Sequence, residues 1–175
     1  MSGETLPEYL DLLRLAEQGA ALVGHLPLRA MKRLVSSLVS DEGEVEAELR
    51  FEFDPIRRPQ VSGWVRGEVE LVCQRCLETF RRPLTAEFRL VLVQSEAEGE
   101  RLMDGIEPLL RGEEQIRAAE LLEDELILAL PVVAMHGEDS GCQLQVAAQP
   151  VTDGSAEQRK PGAFAALAAL NRKND

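Results

Sequence analysis

The sequence has few aromatic residues and few of the side chains that most often bind metals. Its 175 residues include one Trp, one Tyr, five Phe, two His and three Cys. Three cysteines cannot build an extensive disulfide framework, and two histidines leave little material for a His-based catalytic site. No stretch reaches the roughly 18 consecutive apolar residues of a membrane span. These shortages argue against a disulfide scaffold and against a membrane-spanning chain.

The N-terminal residues lack the basic start of an export signal. Glu4 and Glu8 stand where a signal peptide carries Lys or Arg. Cysteines outside a disulfide framework are typical of a reducing compartment. We therefore expect a cytoplasmic protein, and a chain of this length supports one sizeable core.

Acidic residues outnumber basic residues in the whole chain, but most of the excess lies in one region. The net charge is −12, yet residues 29–89 carry 11 acids and 11 bases, whereas residues 90–126 carry 11 acids and three bases. Nonspecific binding of polyanions needs an excess of Lys and Arg. The net charge therefore excludes a nonspecific polyanion-binding protein. A local basic face could still contact nucleic acid. The acidic excess could itself serve only to keep the protein soluble.

Alternating apolar and polar residues predict antiparallel strands in the middle of the chain. Residues 44–54 alternate almost without interruption, and residues 61–73 and 84–92 continue the pattern after short turns. Gly63 and Gly67 interrupt the second run, which predicts a bulge or a close backbone approach. The fold class is therefore α+β, with an antiparallel sheet (a meander of at least three strands), flanking helices and a C-terminal helix.

Helical spacing of apolar residues flanks these strands. It predicts helices over residues 6–19, 29–38 and 116–130. The predicted organisation is an α+β core domain over residues 1–148 with an acidic excursion near 95–114, a linker over 149–162 and a C-terminal helix over 163–173.

Four side chains have the chemistry to form one metal site. They are Cys73, Cys76, His136 and Cys142. Both pairs fall in predicted turns, and three cysteines with one histidine form an accepted structural zinc set. Spacing alone leaves open whether these are ordinary reduced cysteines. A redox pair is disfavoured, because it should begin a helix in a βαβ unit, which is absent here.

Basic residues and one aromatic cluster around the predicted meander. The candidate nucleic-acid-binding residues are Arg57, Arg58, Arg75, Arg81, Arg82 and Trp64. Guanidinium groups on one sheet face could contact phosphates while the indole stacks on an unpaired base. Interleaved glutamates leave a merely mixed surface as an equal alternative.

The predicted helix over 116–130 carries several acids. Glu120 and Asp124 are four residues apart and could meet a divalent ion or a basic partner. A solvated helix face is the more ordinary interpretation. No phosphate-binding loop, dinucleotide fingerprint or zinc-protease motif is present, and we expect no enzymatic activity.

Several segments occur together in an order that resembles a known family. They are Cys-Gln-Arg-Cys-Leu-Glu at residues 73–78, Glu-Asp-Glu-Leu-Ile-Leu-Ala-Leu-Pro-Val-Val at 123–133, His136, Cys142 and an Ala- and Leu-rich segment at 163–170. This combination resembles the YceD family, the large ribosomal RNA subunit accumulation proteins. The motif positions that match are Cys73, Arg75, Cys76, Glu123, Asp124, Glu125 and Phe164. The resemblance departs where Gly162 and Ala163, instead of Pro, precede Phe164.

The resemblance implies a cytoplasmic ribosome-biogenesis factor that supports the synthesis, processing or stability of 23S ribosomal RNA without catalysing a reaction. Its implied partners are large-subunit ribosomal RNA, a ribosomal protein or a precursor particle, with no membrane and no small-molecule substrate. Zinc is the one cofactor that the three cysteines and His136 suggest. The alternative is a metal-stabilised protein-interaction module that does not act on RNA.

Overall fold

A computed structural model describes residues 4–103, 105–110, 115–137 and 142. The chain divides into two units, residues 1–144 and 145–175, and every described residue belongs to the first. The predicted linker over 149–162 and the predicted helix over 163–173, with Phe164, lie outside the described residues. The predicted domain boundaries stay predictions.

A five-stranded sheet forms the centre of the described unit. Its strands are β2 (Ala21–Pro27), β3 (Glu44–Phe53), β4 (Pro59–Val72), β5 (Thr79–Val93) and β6 (Glu107–Leu110), in that spatial order. Neighbours from β2 to β5 are antiparallel, whereas β6 runs parallel to β5. A separate two-stranded pair joins β1 (Tyr9–Leu10) to β7 (Ile116–Arg117). The predicted meander and the α+β class are confirmed.

Alternation along the strands separates a buried face from an exposed one. Buried side chains of β3 to β5 form most of the core, namely Val45, Ala47, Leu49, Phe51, Val61, Val65, Val69, Leu71, Leu84, Phe88 and Leu90. Gly63 lies on this face opposite Leu49. A Cβ at Gly63 would collide with the backbone carbonyl of Glu48, so the predicted close approach is confirmed.

Helices cover the buried face. They are α1 (Leu12–Gln18), α2 (Lys32–Val35), α3 (Glu96–Gly99) and α4 (Ala118–Ala129). α1 packs on β3 and β4, and α4 packs on β4, β5 and α2. The Asp11 carboxylate accepts from the Arg14 N–H at the start of α1, and Gly19 ends the helix with φ of 58°. None of the described helices has the length and apolar character needed to cross a membrane.

Three predicted segments differ from the observed elements. The segment predicted as a helix over 6–19 contains the strand β1 at Tyr9–Leu10, and α1 begins only at Leu12. The segment predicted as a helix over 29–38 contains a 3₁₀ turn at Leu28–Ala30 and only one α-helical turn, α2, although Met31 and Leu34 are fully buried as its apolar stripe requires. The described part of the 95–114 excursion contains α3 and the parallel edge strand β6. Short elements escape detection because one turn or four residues cannot display a period.

Candidate metal centre

The Cys-x-x-Cys turn closes the long hairpin between β4 and β5. The Cys73 N–H donates to the Glu78 carbonyl at 2.9 Å, and the Leu77 N–H donates to the Cys73 carbonyl at 2.8 Å. Both Cys73 and Cys76 are buried. The turn therefore holds two sulfurs on its inner side, at the end of the sheet.

The chain beyond α4 returns to this turn and is fixed there. The Gln74 N–H donates to the Ala134 carbonyl at 2.8 Å. The His136 ring lies against the Phe80 ring, with 4.7 Å between their centroids. Pro131 follows α4 and ends its run of helical hydrogen bonds. This backbone hydrogen bond and the ring contact therefore place His136 beside Cys76, although the two are 60 residues apart in the sequence.

The four predicted ligands lie together. Their donor atoms are all within 4.8 Å of one another. The sulfurs of Cys73 and Cys142 are 3.6 Å apart, and Cys76 Sγ lies 3.4 Å from His136 Nδ1. Tetrahedral zinc with Zn–S bonds of about 2.3 Å requires separations of about 3.8 Å between sulfurs and about 3.6 Å between sulfur and nitrogen. The cluster could therefore hold one metal ion with little rearrangement.

The sulfurs differ in their affinity for protons. Burial would raise the pKa of Cys73, but backbone N–H groups of Cys76, His136 and Arg75 donate to its sulfur and lower the pKa to about 5. Burial, together with the sulfurs of Cys76 and Cys73, raises the pKa of Cys142 to about 11. The protein by itself therefore favours the thiolate of Cys73 and the thiol of Cys142, and a divalent cation would stabilise the negative charge of deprotonated ligands.

Leu77 occupies an unfavourable backbone conformation in the same turn. Its φ is 63°, in the left-handed region, and its side chain is 77% exposed. A residue other than glycine costs about 1–2 kcal/mol in this region. Glycine would adopt this backbone conformation at lower cost. The conformation of the turn therefore does not explain why residue 77 is a leucine.

The candidate nucleic-acid-binding residues do not form one cluster. Arg57 and Arg58 lie in the β3–β4 turn, whereas Arg75, Arg81 and Arg82 lie at or near the opposite end of the β4–β5 hairpin. β4 has 14 residues, which places these groups roughly 40 Å apart. A single short nucleic-acid segment would not span both groups.

Several of these candidates already have partners. Arg58 pairs with Asp54 and Glu98, Arg81 pairs with Glu70 and Glu68, and the Trp64 N–H donates to Glu48. Arg57 stacks over Phe53. Within the described part of the chain, Arg75 and Arg82 form no ion pair. The assignment of these six residues to RNA stays a prediction.

The acidic side chains of α4 do not all lie on one solvent-exposed face. Glu123 is only 4% exposed. Its carboxylate accepts from the Arg33 and Leu34 backbone N–H groups at 2.6 and 3.1 Å and from Arg33 Nε at 2.8 Å. It therefore supplies the cap that α2 lacks. Sequence reasoning had no signal for this contact, because the cap comes from a residue 90 positions away.

Glu125 is a second buried acid of α4. Burial, followed by the charges of Glu107 on β6 and Asp124, raises its pKa from the usual 4.5 to about 7. Because the folded chain holds this proton more tightly, the contribution to stability is greatest below about pH 4.5 and is lost as the pH rises towards 7.

We expect Glu125→Gln to stabilise the protein at about pH 8 and to have little effect at about pH 5. The gain at the higher pH is on the order of 1–2 kcal/mol after solvent screening is considered. Urea unfolding at both pH values measures it. The control is Glu120→Gln, since Glu120 is exposed and faces Arg117. An effect of Glu125→Gln that is equal at both pH values would contradict the expectation.

Comparisons with known proteins identify the family of this chain. The family described as the large ribosomal RNA subunit accumulation protein YceD matches residues 61–171, a range that contains all four candidate ligands. The large ribosomal RNA subunit accumulation protein YceD of Haemophilus influenzae is 33% identical over 172 residues, which cover 96% of this chain and 97% of that protein. No solved structure matches. The chain belongs to the YceD family.

Proposed function

We propose that this protein is a noncatalytic, cytoplasmic ribosome-biogenesis factor that supports the accumulation of 23S ribosomal RNA through its synthesis, processing or stability. The observation that carries the proposal is the similarity to a relative named for large ribosomal RNA subunit accumulation, which extends over nearly the whole length of both chains. A match of that extent includes the sheet, the helices and the candidate metal centre.

The geometry of the metal centre supports a noncatalytic role. Four protein ligands complete a tetrahedral zinc shell, whereas catalytic zinc keeps one position open for water or substrate. All four donor atoms here lie mutually close. We propose that zinc, held by Cys73, Cys76, His136 and Cys142, ties the hairpin to the chain that follows α4.

Arg75 and Arg82 are the best placed of the candidate residues for direct contact with RNA. Both are exposed and lie at the end of the sheet that carries the metal centre. Neither would have to leave a carboxylate partner among the described residues. Arg58 and Arg81 would have to exchange ion pairs for phosphates, which reduces the net gain from binding.

Depletion of the protein from the cells that produce it tests the proposal. We expect the ratio of large-subunit to small-subunit ribosomal RNA to fall, because the precursor loses a factor on which its accumulation depends. Expression of the wild-type chain is expected to restore the ratio. The double variant Arg75→Ala, Arg82→Ala is expected to restore it incompletely, measured by quantitative electrophoresis of total RNA.

The matched control is the double variant Arg14→Ala, Arg29→Ala, since both arginines are exposed and belong to other parts of the fold. It should restore the ratio fully. An unchanged ratio after depletion would refute the ribosomal role. Full rescue by the Arg75 and Arg82 variant would refute direct contact through these residues and leave the role itself standing.

The second candidate function is a metal-stabilised protein-interaction module that does not act on RNA. A groove of about 440 Å³ beside the Cys-x-x-Cys turn, whose lining includes Leu38, Val72 and Leu77, favours it. An unchanged ribosomal RNA ratio in the depletion experiment would select this function over the first.

A further inference from the structure

Two sulfurs of the candidate metal centre are close neighbours from distant parts of the sequence. Cys73 Sγ and Cys142 Sγ are 3.6 Å apart, although the two residues are 69 positions apart. Neither belongs to a disulfide bond. Because sulfurs in a disulfide are separated by about 2.05 Å, an approach of about 1.6 Å would bring this pair into bonding distance.

The sulfur of Cys76 has polar neighbours of its own. Cys76 Sγ lies 3.4 Å from His136 Nδ1 and 3.9 Å from Glu78 Oε2. Both neighbours remain available to Cys76 when the other two sulfurs react with each other. The arrangement therefore favours a bond between Cys73 and Cys142 that leaves Cys76 reduced.

The two neighbouring sulfurs differ in their access to solvent. Cys73 is fully buried, whereas Cys142 is half-buried. An oxidant that diffuses in from solvent therefore reaches Cys142 first, with Cys73 directly behind it. An accessible cysteine beside a second cysteine that can resolve its oxidised form is the arrangement found in redox-sensing proteins.

We propose that Cys73 and Cys142 are a site of reversible oxidation, at which a peroxide joins the two sulfurs in a disulfide bond and zinc is released. Oxidation removes two of the four ligands, and Cys76 with His136 cannot complete a tetrahedral shell. Disulfides in a reducing compartment are usually transient and redox-sensing. Release of zinc rests on the zinc centre proposed above, whereas formation of the disulfide does not depend on it.

The oxidation proceeds in two balanced steps. The Cys142 thiolate attacks one oxygen of hydrogen peroxide, so an S–O bond forms, the O–O bond breaks, and hydroxide leaves. The Cys73 thiolate then attacks the sulfur of the resulting sulfenic acid, so the S–S bond forms, the S–O bond breaks, and a second hydroxide leaves. Solvent protonates each hydroxide. The two sulfurs lose two electrons in total, and the peroxide is reduced to two water molecules.

Peroxide treatment of the full-length, zinc-loaded chain tests this oxidation. Remaining thiols are blocked with N-ethylmaleimide, and the chain is then digested and analysed by mass spectrometry. We expect a linked pair of peptides that contain Cys73 and Cys142, with the loss of two of the three free thiols. About one equivalent of zinc should be released, measured with a colorimetric chelator. Dithiothreitol and added zinc should restore the starting state.

Met103 is the internal control for unselective oxidation. Its side chain is 77% exposed, and its thioether is converted to a sulfoxide when peroxide attacks the protein at random. The disulfide should form at a peroxide dose that leaves Met103 intact. A disulfide that appears only after Met103 is oxidised, a sulfinic acid at Cys142, or a disulfide mainly to Cys76 would overturn the proposal.

Cys76→Ser separates disulfide formation from zinc binding. This variant is expected to lack zinc and still to form the bond between Cys73 and Cys142 when treated with peroxide. A folded Cys76→Ser chain that stays reduced would overturn the proposal. Wild-type protein that holds no zinc but forms the disulfide would refute the zinc centre and support the oxidation site. Wild-type protein that holds zinc and keeps all its thiols would do the reverse.

Discussion

Cys76→Ser is expected to release the bound metal and to lower the Tm by roughly 10 °C. The centre joins Cys76 to His136 across 60 residues, and closure of a loop of that length is worth about 4 kcal/mol when treated as a crosslink. A domain of this size shifts by about 2–4 °C for each kcal/mol. Elemental analysis should find about one equivalent of zinc in the wild-type chain and a small fraction of that in the variant.

The control for the metal prediction is His25→Gln, which changes the other histidine of the chain. His25 lies on β2 and interacts with Glu44, away from the four ligands. This variant should retain its zinc. Wild-type protein that is folded, free of metal and unchanged in Tm by a strong chelator would show that the cluster has no metal-binding role.

Glu123→Ala is expected to destabilise the protein by about 2–4 kcal/mol. The substitution leaves the part-buried Arg33 N–H and the buried Leu34 N–H without their acceptor, and an unsatisfied buried group costs about 1–3 kcal/mol. It also removes one of the two carboxylate partners of the Arg33 guanidinium. Urea unfolding monitored by circular dichroism measures the loss.

Asp124→Ala is the matched control for Glu123. Asp124 is the next residue of α4 and binds the same guanidinium through Arg33 Nη2 at 2.7 Å, but its side chain is 59% exposed. An exposed pair of this kind contributes less than about 1 kcal/mol. Similar losses in the two variants would contradict the view that α2 depends on a buried cap.

The long strands could be predicted because each has a buried and an exposed face. In β3 the even-numbered positions 44 to 52 are polar and the odd-numbered positions are apolar, a signal that the pleat imposes directly. β6 could not be predicted in the same way. Its four residues, Glu107–Leu110, are placed by parallel pairing with β5, and such pairing depends on the tertiary fold and leaves no period in the sequence.

The residues of the site also divide into those whose role the sequence predicts and those whose role depends on the fold. The identities of Cys73, Cys76, His136 and Cys142 predict a zinc set because their chemistry is specific, and the structure brings them together. The roles of Glu123 and Glu125 depend on which neighbour each faces across the fold. Their sequence pattern indicates a mostly solvated acidic helix face, and the packing of α4 against α2, β4 and β5 overturns that prediction for Glu123 and Glu125.

Because the four ligands are far apart in the sequence, they leave the ribosome at different times during synthesis. Cys73 and Cys76 leave the ribosome first, and His136 follows 60 residues later. At about 5–20 residues per second that interval is roughly 3–12 s. Throughout it the nascent hairpin presents two thiols without their partners, so the growing chain is open to a competing soft metal ion or to an oxidant. Completion of the proposed zinc centre would therefore be a late step in the biosynthesis of this protein, after His136 and Cys142 have been synthesised.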